Sequence, residues 1–116
     1  MVTRTVLLGD VVGSLQIDDR AAFQGLIRGA LATANETDTV EAPFVLQKGI
    51  DEFAGVLSTP EGVYEAVRTI QERIRPQTAR FAIVHGEVDV GSERMDARAM
   101  DGPAFHRGDE LLEEAA

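Results

Sequence analysis

The stretch QKGIDEFAGVL, residues 47–57, carries the pattern that decides the fold. An apolar strand leads into a turn at Lys48 to Asp51, and a second apolar run follows from Phe53. Glycine and aspartate favour turns, whereas aliphatic and aromatic runs favour strands. The stretch therefore predicts a β-hairpin in which the carboxylates of Asp51 and Glu52 lie at or beside the turn.

Strand and helix patterns surround this hairpin in a regular order. A helix is predicted from about Arg20, with Asp18 or Asp19 as its cap, and a second from Thr59-Pro60 to Pro76. A last helix starts at Asp101-Gly102-Pro103. Residues 35–42 are loop-like. Residues 88–100 give only a weak signal, in which Val88 to Val90 form a short strand at most. The four predicted strands are Thr5–Val12, a segment starting at Pro43–Leu46, Phe53–Leu57 and Arg80–Val84.

The resulting order, βαββαβ followed by a C-terminal helix, predicts a single α+β domain over residues 1–116. Right-handed crossovers on an antiparallel sheet give the ferredoxin-like arrangement, with strand order 4-1-3-2 and two helices on one face. Apolar residues at helical spacing are expected to face the sheet. The buried positions predicted in this way are Phe23, Leu26, Ile27, Val63, Val67 and Ile70.

Asp10 closes the first strand just before a loop that contains Gly13. In the predicted topology strands one and three are antiparallel neighbours, so Asp10 lies beside Asp51 and Glu52. Carboxylates that converge at strand ends suit a divalent cation with phosphate oxygens, which predicts Asp10, Asp51 and Glu52 as ligands of Mg²⁺ or Mn²⁺. The alternative is that these acids only punctuate turns.

The charge balance limits the partners. Twenty acidic against eleven basic residues give a net charge of −9, which disfavours binding to nucleic acid or to an anionic membrane surface. Ten of the eleven basic residues are arginine, and Lys48 is the only lysine. This composition fits a protein from a high-salt environment, where screening reduces self-repulsion. With no cysteine, any metal must take oxygen or imidazole ligands. The sequence has no signal-peptide pattern and no apolar run of membrane-spanning length, so we expect a cytoplasmic protein.

Four short blocks lie in order along nearly the whole chain: residues 9–14 (GDVVGS), 49–55 (GIDEFAG), 80–83 (RFAI) and 101–107 (DGPAFHR). Together these blocks resemble the SatD family. They also resemble a reduced version of the class III nucleotide cyclases and the GGDEF diguanylate cyclases, which share a ferredoxin-like palm. That second resemblance implies Asp10 and Asp51 as metal ligands, and backbone N–H groups of Val11, Val12, Gly13 and Ser14 as phosphate donors.

The chain also departs from the cyclase patterns. Ile50 stands where the GGDEF pattern has a second glycine, and its branched side chain disfavours the positive φ that glycine allows. Glu110 stands where the catalytic anion clamp of the class III enzymes would need an arginine. Two functions therefore stay open. One is a regulatory module that binds a nucleotide and a divalent metal through a degenerate cyclase-like palm. The other is an active metal-dependent enzyme, either a cyclase or a phosphoryl- or nucleotidyl-transfer enzyme.

Two basic residues and two histidines complete the candidate list. Lys48 and Arg80 are each placed to pair with the acid cluster or with a phosphate. His85 and His106 are possible metal ligands, although a histidine at a strand end or on a helix is more often a surface or packing residue. Glu87 follows the fourth strand at the end that points away from Asp10.

A homodimer is expected because a four-stranded sheet with helices on one face leaves its other face in need of cover. The short C-terminal segment can shield only part of that face. The cyclase resemblance also implies pairing, since palms of that type generally pair.

Overall fold

The computed structural model describes residues 2–13, 16–48, 51–88 and 103–115. These residues form four strands and three helices in the order βαββαβα, and a single 3-10 turn at Pro60–Gly62 leads into the second helix. The elements are β1 (Val2–Val11), α1 (Arg20–Ala34), β2 (Val40–Lys48), β3 (Glu52–Leu57), α2 (Val63–Arg73), β4 (Ala79–Val88) and α3 (Pro103–Ala115).

The four strands form one antiparallel sheet in the order β2-β3-β1-β4. This is the predicted order 4-1-3-2 counted from the opposite edge, so the predicted α+β fold is confirmed. β1 is a central strand, as its continuous apolar sequence indicates. The hairpin of β2 and β3 is also confirmed, and it brings Glu52 directly opposite Asp10.

Helices cover both faces of the sheet. Leu7 and Val11 of β1 belong to a buried cluster with Phe23 and Ile27 of α1 and Ile70 of α2. The intervening residues of β1 point to the other face, where Val6 and Leu8 join a second buried cluster with Leu112 of α3. α3 therefore shields part of the face that the sequence had suggested was left for a second copy.

Glycines on β1 and β3 make room for aromatic rings on the α1/α2 face. A Cβ at Gly9 would overlap the ring of Phe53, and a Cβ at Gly55 would overlap the ring of Phe44. Phe81, opposite Gly9 on β4, meets Phe53 edge to face with the ring centroids 5.9 Å apart. The rings thus pack over the central strands because no side chain rises between them.

The stripe predicted on α1 is correct for Phe23 and Ile27 and wrong for Leu26, which is 43% exposed. At 100° per residue Leu26 lies roughly 80–90° around the helix from the centre of the buried stripe, so it misses the sheet. On α2, Ile70 is buried whereas Val63 and Val67 are half-buried. The predicted start of α1 is confirmed, with Asp19 accepting a 3.0 Å hydrogen bond from the Ala22 N–H.

Several boundaries differ from the prediction, and β1 spans Val2–Val11 rather than Thr5–Val12. β2 begins at Val40, inside the segment read as a loop, because this edge strand is irregular and Pro43 need not donate a ladder bond there. β4 continues to Val88, so His85 and Glu87 lie within the strand rather than after it. Thr59 makes no side-chain capping bond, since a 3-10 turn separates it from α2.

Two exposed glycines on α1 give a first test of this packing. A Cβ at Gly25 or Gly29 would meet nothing within 4 Å. Replacing either by alanine should therefore raise the free energy of unfolding by about 0.5–1 kcal/mol, since glycine is costly inside a helix. Urea unfolding at fixed salt measures the effect.

Matched substitutions in the sheet serve as the control. Gly9→Ala and Gly55→Ala should lower the free energy of unfolding by about 1–3 kcal/mol, because the aromatic rings must move. A similar effect of alanine on α1 and in the sheet would contradict the arrangement of the rings over Gly9 and Gly55.

Candidate functional site

Four charged residues lie in one row across the sheet. Lys48 of β2 is opposite Glu52 of β3, Glu52 is opposite Asp10 of β1, and Asp10 is opposite Arg80 of β4. We call these four residues the charged row. Each of them was singled out from the sequence, and the register of the sheet aligns their backbone positions in the order basic, acidic, acidic, basic.

The two acids face each other at a close-approach position. The Val11 N–H donates a 2.8 Å hydrogen bond to the Asp51 carbonyl, which makes Val11 and Asp51 a hydrogen-bonded pair. Asp10 and Glu52, one step along, therefore form a non-hydrogen-bonded pair, with Cα atoms about 4.5 Å apart and side chains closest together. Like charges directly opposite each other repel, so the arrangement favours a nearby positive charge.

Arg80 supplies one such charge. Its Nε and one terminal nitrogen contact the two carboxylate oxygens of Asp10 at 3.1 and 3.2 Å. The side chains are only 19% exposed for Asp10 and 33% for Arg80, so solvent screens the pair less than an open surface ion pair. The guanidinium fork matches a carboxylate in two bonds and fixes both side chains.

α3 lies close to the charged row. Asp10 shares the α3 face of β1 with Leu8, since alternate residues of a strand point to the same side. A Cβ at Gly108 of α3 would overlap Leu8. With a strand rise of about 3.4 Å per residue, the row begins roughly 7 Å along β1 from this contact. The third helix thus forms a wall near the acids, which the sequence alone did not indicate.

The loop after β1 uses two of its four proposed phosphate donors for the fold. The N–H of Val11 binds the Asp51 carbonyl, and the N–H of Val12 binds the Thr78 carbonyl at 2.7 Å. Gly13 has φ +71°, a conformation that favours glycine, and its carbonyl accepts a 3.0 Å bond from the Gln16 N–H. Ser14 lies outside the described residues.

Other parts of the predicted site lie outside the described residues as well. For Lys48 the backbone position is given but not the side chain, and the turn at Gly49 and Ile50 is not described. The weak-signal segment beyond Val88 is likewise outside, as far as residue 102. The predictions made for Lys48, Ile50 and Ser14 therefore stay predictions.

The two histidines lie on β4 and α3. His85 of β4 is opposite Thr5, and its Nδ1 lies 2.9 Å from the buried Thr5 hydroxyl. His106 is an exposed residue of α3. Among the residues that the structure describes, no group of three or more His, Cys, Asp or Glu side chains is arranged to hold a metal ion. The charged row thus offers a carboxylate pair rather than a complete protein cage.

Two structural features escaped the sequence reasoning. The role of Gly9 was not predicted, although glycine inside a strand often marks a close approach, here that of Phe53. A cavity of about 330 Å³ between α1 and β2 gave no sequence signal because its lining comes from two distant segments. It is lined by Arg28, Leu31, Ala32, Asn35, Phe44, Val45 and Leu46, none of which belongs to the charged row.

Comparison with known proteins gives one match. A model of the SatD family matches residues 5–113, a span that includes all four residues of the charged row. The curated proteins contain no match to the chain. In the described ranges, no helix has both the length and the apolar character needed to cross a membrane.

The ion pair of Asp10 and Arg80 can be measured with a double-mutant cycle. Asp10→Asn, Arg80→Gln and the double variant should give a coupling free energy of about 1–2 kcal/mol. The guanidinium and the carboxylate form two hydrogen bonds, and both side chains are mostly shielded from solvent. Urea unfolding of the four proteins at one salt concentration provides the values.

The exposed pair of Glu65 and Arg68 on α2 is the control cycle. Its side chains are 56% and 46% exposed, so its coupling should be about 0.5 kcal/mol or less. Equal coupling in the two cycles would mean that the Asp10–Arg80 pair contributes no more than a surface contact.

Proposed function

The chain belongs to the SatD family, and on this premise we propose that it is a regulatory module that binds a divalent cation and a nucleotide at the charged row. The cation is Mg²⁺ or Mn²⁺, and the palm is a degenerate relative of the nucleotide cyclase palms. Asp10 and Glu52 are the cation ligands, with Asp51 at the turn beside them. Lys48, Arg80 and the loop at Gly13 and Ser14 face the phosphates.

The observation that carries this proposal is the pair of Asp10 and Glu52 at a non-hydrogen-bonded position of the sheet. Mg²⁺ binds oxygen, keeps several waters, and is commonly held by one or two carboxylates together with phosphate oxygens. A pair of acids with no third acidic or imidazole ligand among the described residues fits this requirement. A bound ion would also relieve the repulsion between the two carboxylates.

Arg80 gives the site two states. Without a cation the guanidinium neutralises Asp10. When a cation and a phosphate arrive together, the ion takes over the carboxylate and the guanidinium turns to the phosphate, for which its fork is equally suited. Binding thereby moves Arg80 of β4 from Asp10 to the phosphate. This change of partner is the regulatory signal that we propose.

A regulatory role is preferred to catalysis because of the charges on α3. Arg107 is the basic residue of α3, and Glu110 and Glu114 lie 3.4 and 3.8 Å from it, so acidic side chains surround the charge that a catalytic clamp would need. Phosphoryl chemistry depends on positive groups aimed at the developing charge. Retention of binding with loss of turnover is the outcome that this arrangement supports.

The remaining expectations enter as proposals of the same kind. The excess of acid and the near absence of lysine support a protein adapted to high salt. The cytoplasmic location rests on the sequence pattern alone. A homodimer is also proposed, although α3 covers part of the sheet face from which that expectation came.

Thermal unfolding tests the cation site. At one hundred times the dissociation constant, Mg²⁺ or Mn²⁺ should stabilise the wild-type protein by about 2.7 kcal/mol, seen as a rise in Tm. Asp10→Ala should abolish the rise because one of the two carboxylates is lost. Asp38→Ala, which removes an exposed acid from the turn after α1, should keep it. Equal shifts in all three proteins would place the ion elsewhere on the acidic surface and end the proposal.

Turnover separates the module from an enzyme. Incubation with a panel of nucleoside triphosphates and Mn²⁺ at high salt should give no product, while calorimetry with the same mixtures should show binding that Arg80→Gln weakens. A product whose formation is lost in Asp10→Ala would establish the alternative, a metal-dependent nucleotide-handling enzyme.

A further inference from the structure

The outer edge of β4 has no pairing strand in the described ranges, where β4 pairs only with β1. The strand is ten residues long and its register against β1 is unbroken from Val88 to Ala79. A long, regular edge presents a row of backbone donors and acceptors that can pair with another strand.

The direction of these backbone groups follows from the ladder with β1. The Val12 N–H binds the Thr78 carbonyl at 2.7 Å, so Thr78 and every second residue after it point their backbone groups at β1. Phe81, Ile83 and His85 therefore point their N–H and C=O groups away from the sheet. Ala79 shows the same direction, since its N–H reaches outward to the side chain of Gln71 at 3.0 Å.

The opposite edge of the sheet is protected by several devices. The side chain of Asn35 accepts a 2.6 Å bond from the Phe44 N–H and donates a 3.2 Å bond to the Phe44 carbonyl, which satisfies the outward backbone of β2 at that residue. Pro43 removes another donor, and the register of β2 shifts between Ala42 and Val45. Proline and irregular register are common protections of edge strands.

From Phe81 to His85, β4 carries none of these protections. It contains no proline, and Ile83 at its middle is 51% exposed. The chain has no acidic residue from Arg73 to Gly86, although twenty acids are spread over 116 residues. The outer edge of β4 is thus regular, apolar at its centre and without acidic residues as far as Gly86.

We infer that the outer edge of β4 pairs antiparallel with the same edge of a second copy, so that two four-stranded sheets join into one. This inference rests on the homodimer proposed above and locates its interface. The register centred on Ile83 gives the longest overlap of the outward-facing residues. It sets Ile83 opposite the partner's Ile83 and Phe81 opposite the partner's His85.

The charges of the strand fit this antiparallel pairing. Glu87 is the single acid of β4 and lies near its C-terminal end. Antiparallel pairing brings that end beside the start of the partner strand, where Arg75 precedes β4. Each end of the joined edge therefore combines acidic and basic residues, and opposite charges across an interface favour this orientation.

Cysteine crosslinking is the direct test because the native chain has no cysteine. Opposite residues of a hydrogen-bonded antiparallel pair have Cα atoms about 5.5 Å apart, within the range that a disulfide spans. Ile83→Cys should form a covalent dimer under mild oxidation. Leu26→Cys, at an exposed apolar position of α1, is the matched control and should not. Failure of Ile83→Cys to exceed the control would overturn the interface.

Sedimentation equilibrium separates the interface from the dimer itself. Ile83→Lys should weaken dimerisation at least a hundredfold, because two lysines would face each other at the centre of the joined edge. Leu26→Lys, with the same change of charge, should leave it unaltered, and circular dichroism checks that both variants are folded. A monomeric wild type at every concentration would overturn both the dimer and its interface. A dimer that Ile83→Lys and Leu26→Lys affect equally would overturn only the β4 interface.

Discussion

The contact between the Phe53 ring and the backbone of Gly9 is the constraint on which the rest of the sheet depends. Because successive residues of a strand face opposite sides, a slip of one residue would turn the face of β1 that the rings cover toward α3, and Asp10 toward α1 and α2. The ring fits only where a residue lacks a Cβ, so it fixes β1 against β3 in one register. The same register places Asp10 opposite Glu52. Packing on one face of the sheet thereby aligns the charges on the other.

The sequence predicted the parts of the fold that local patterns encode. Alternating strand and helix signals gave the strand order, Asp19 marked the start of α1, and topology alone placed Arg80 next to Asp10. Features that depend on distant segments were not predictable. The exposure of Leu26 depends on where the sheet lies beneath α1, and the contact of Gly108 with Leu8 depends on where α3 lies on the sheet.

The charged row also has parts that the sequence predicted and parts that it did not. The types and order of the charged residues were readable from the sequence, because acids at strand ends follow from turn chemistry. The hydrogen-bond and ion-pair partners of these residues were not readable from the sequence. Only the structure shows that the Val12 N–H donates to the Thr78 carbonyl. It also shows that Nε and one terminal nitrogen of Arg80 both bind the Asp10 carboxylate. A charged row of this kind is a property of strand alignment rather than of any single motif.

The two hydrogen bonds from the Asn35 side chain to the Phe44 backbone affect how large an assembly can grow. A sheet with two open edges adds copies without limit, as cross-β fibres do, whereas a sheet with one blocked edge stops once its free edges have met. Because the amide of Asn35 occupies both backbone groups of Phe44, β2 offers no continuous ladder to an incoming strand. The Asn35 side chain, at the C-cap of α1, thus adds to Pro43 and the shifted register of β2 in limiting growth beyond a pair, and its loss would weaken that limit.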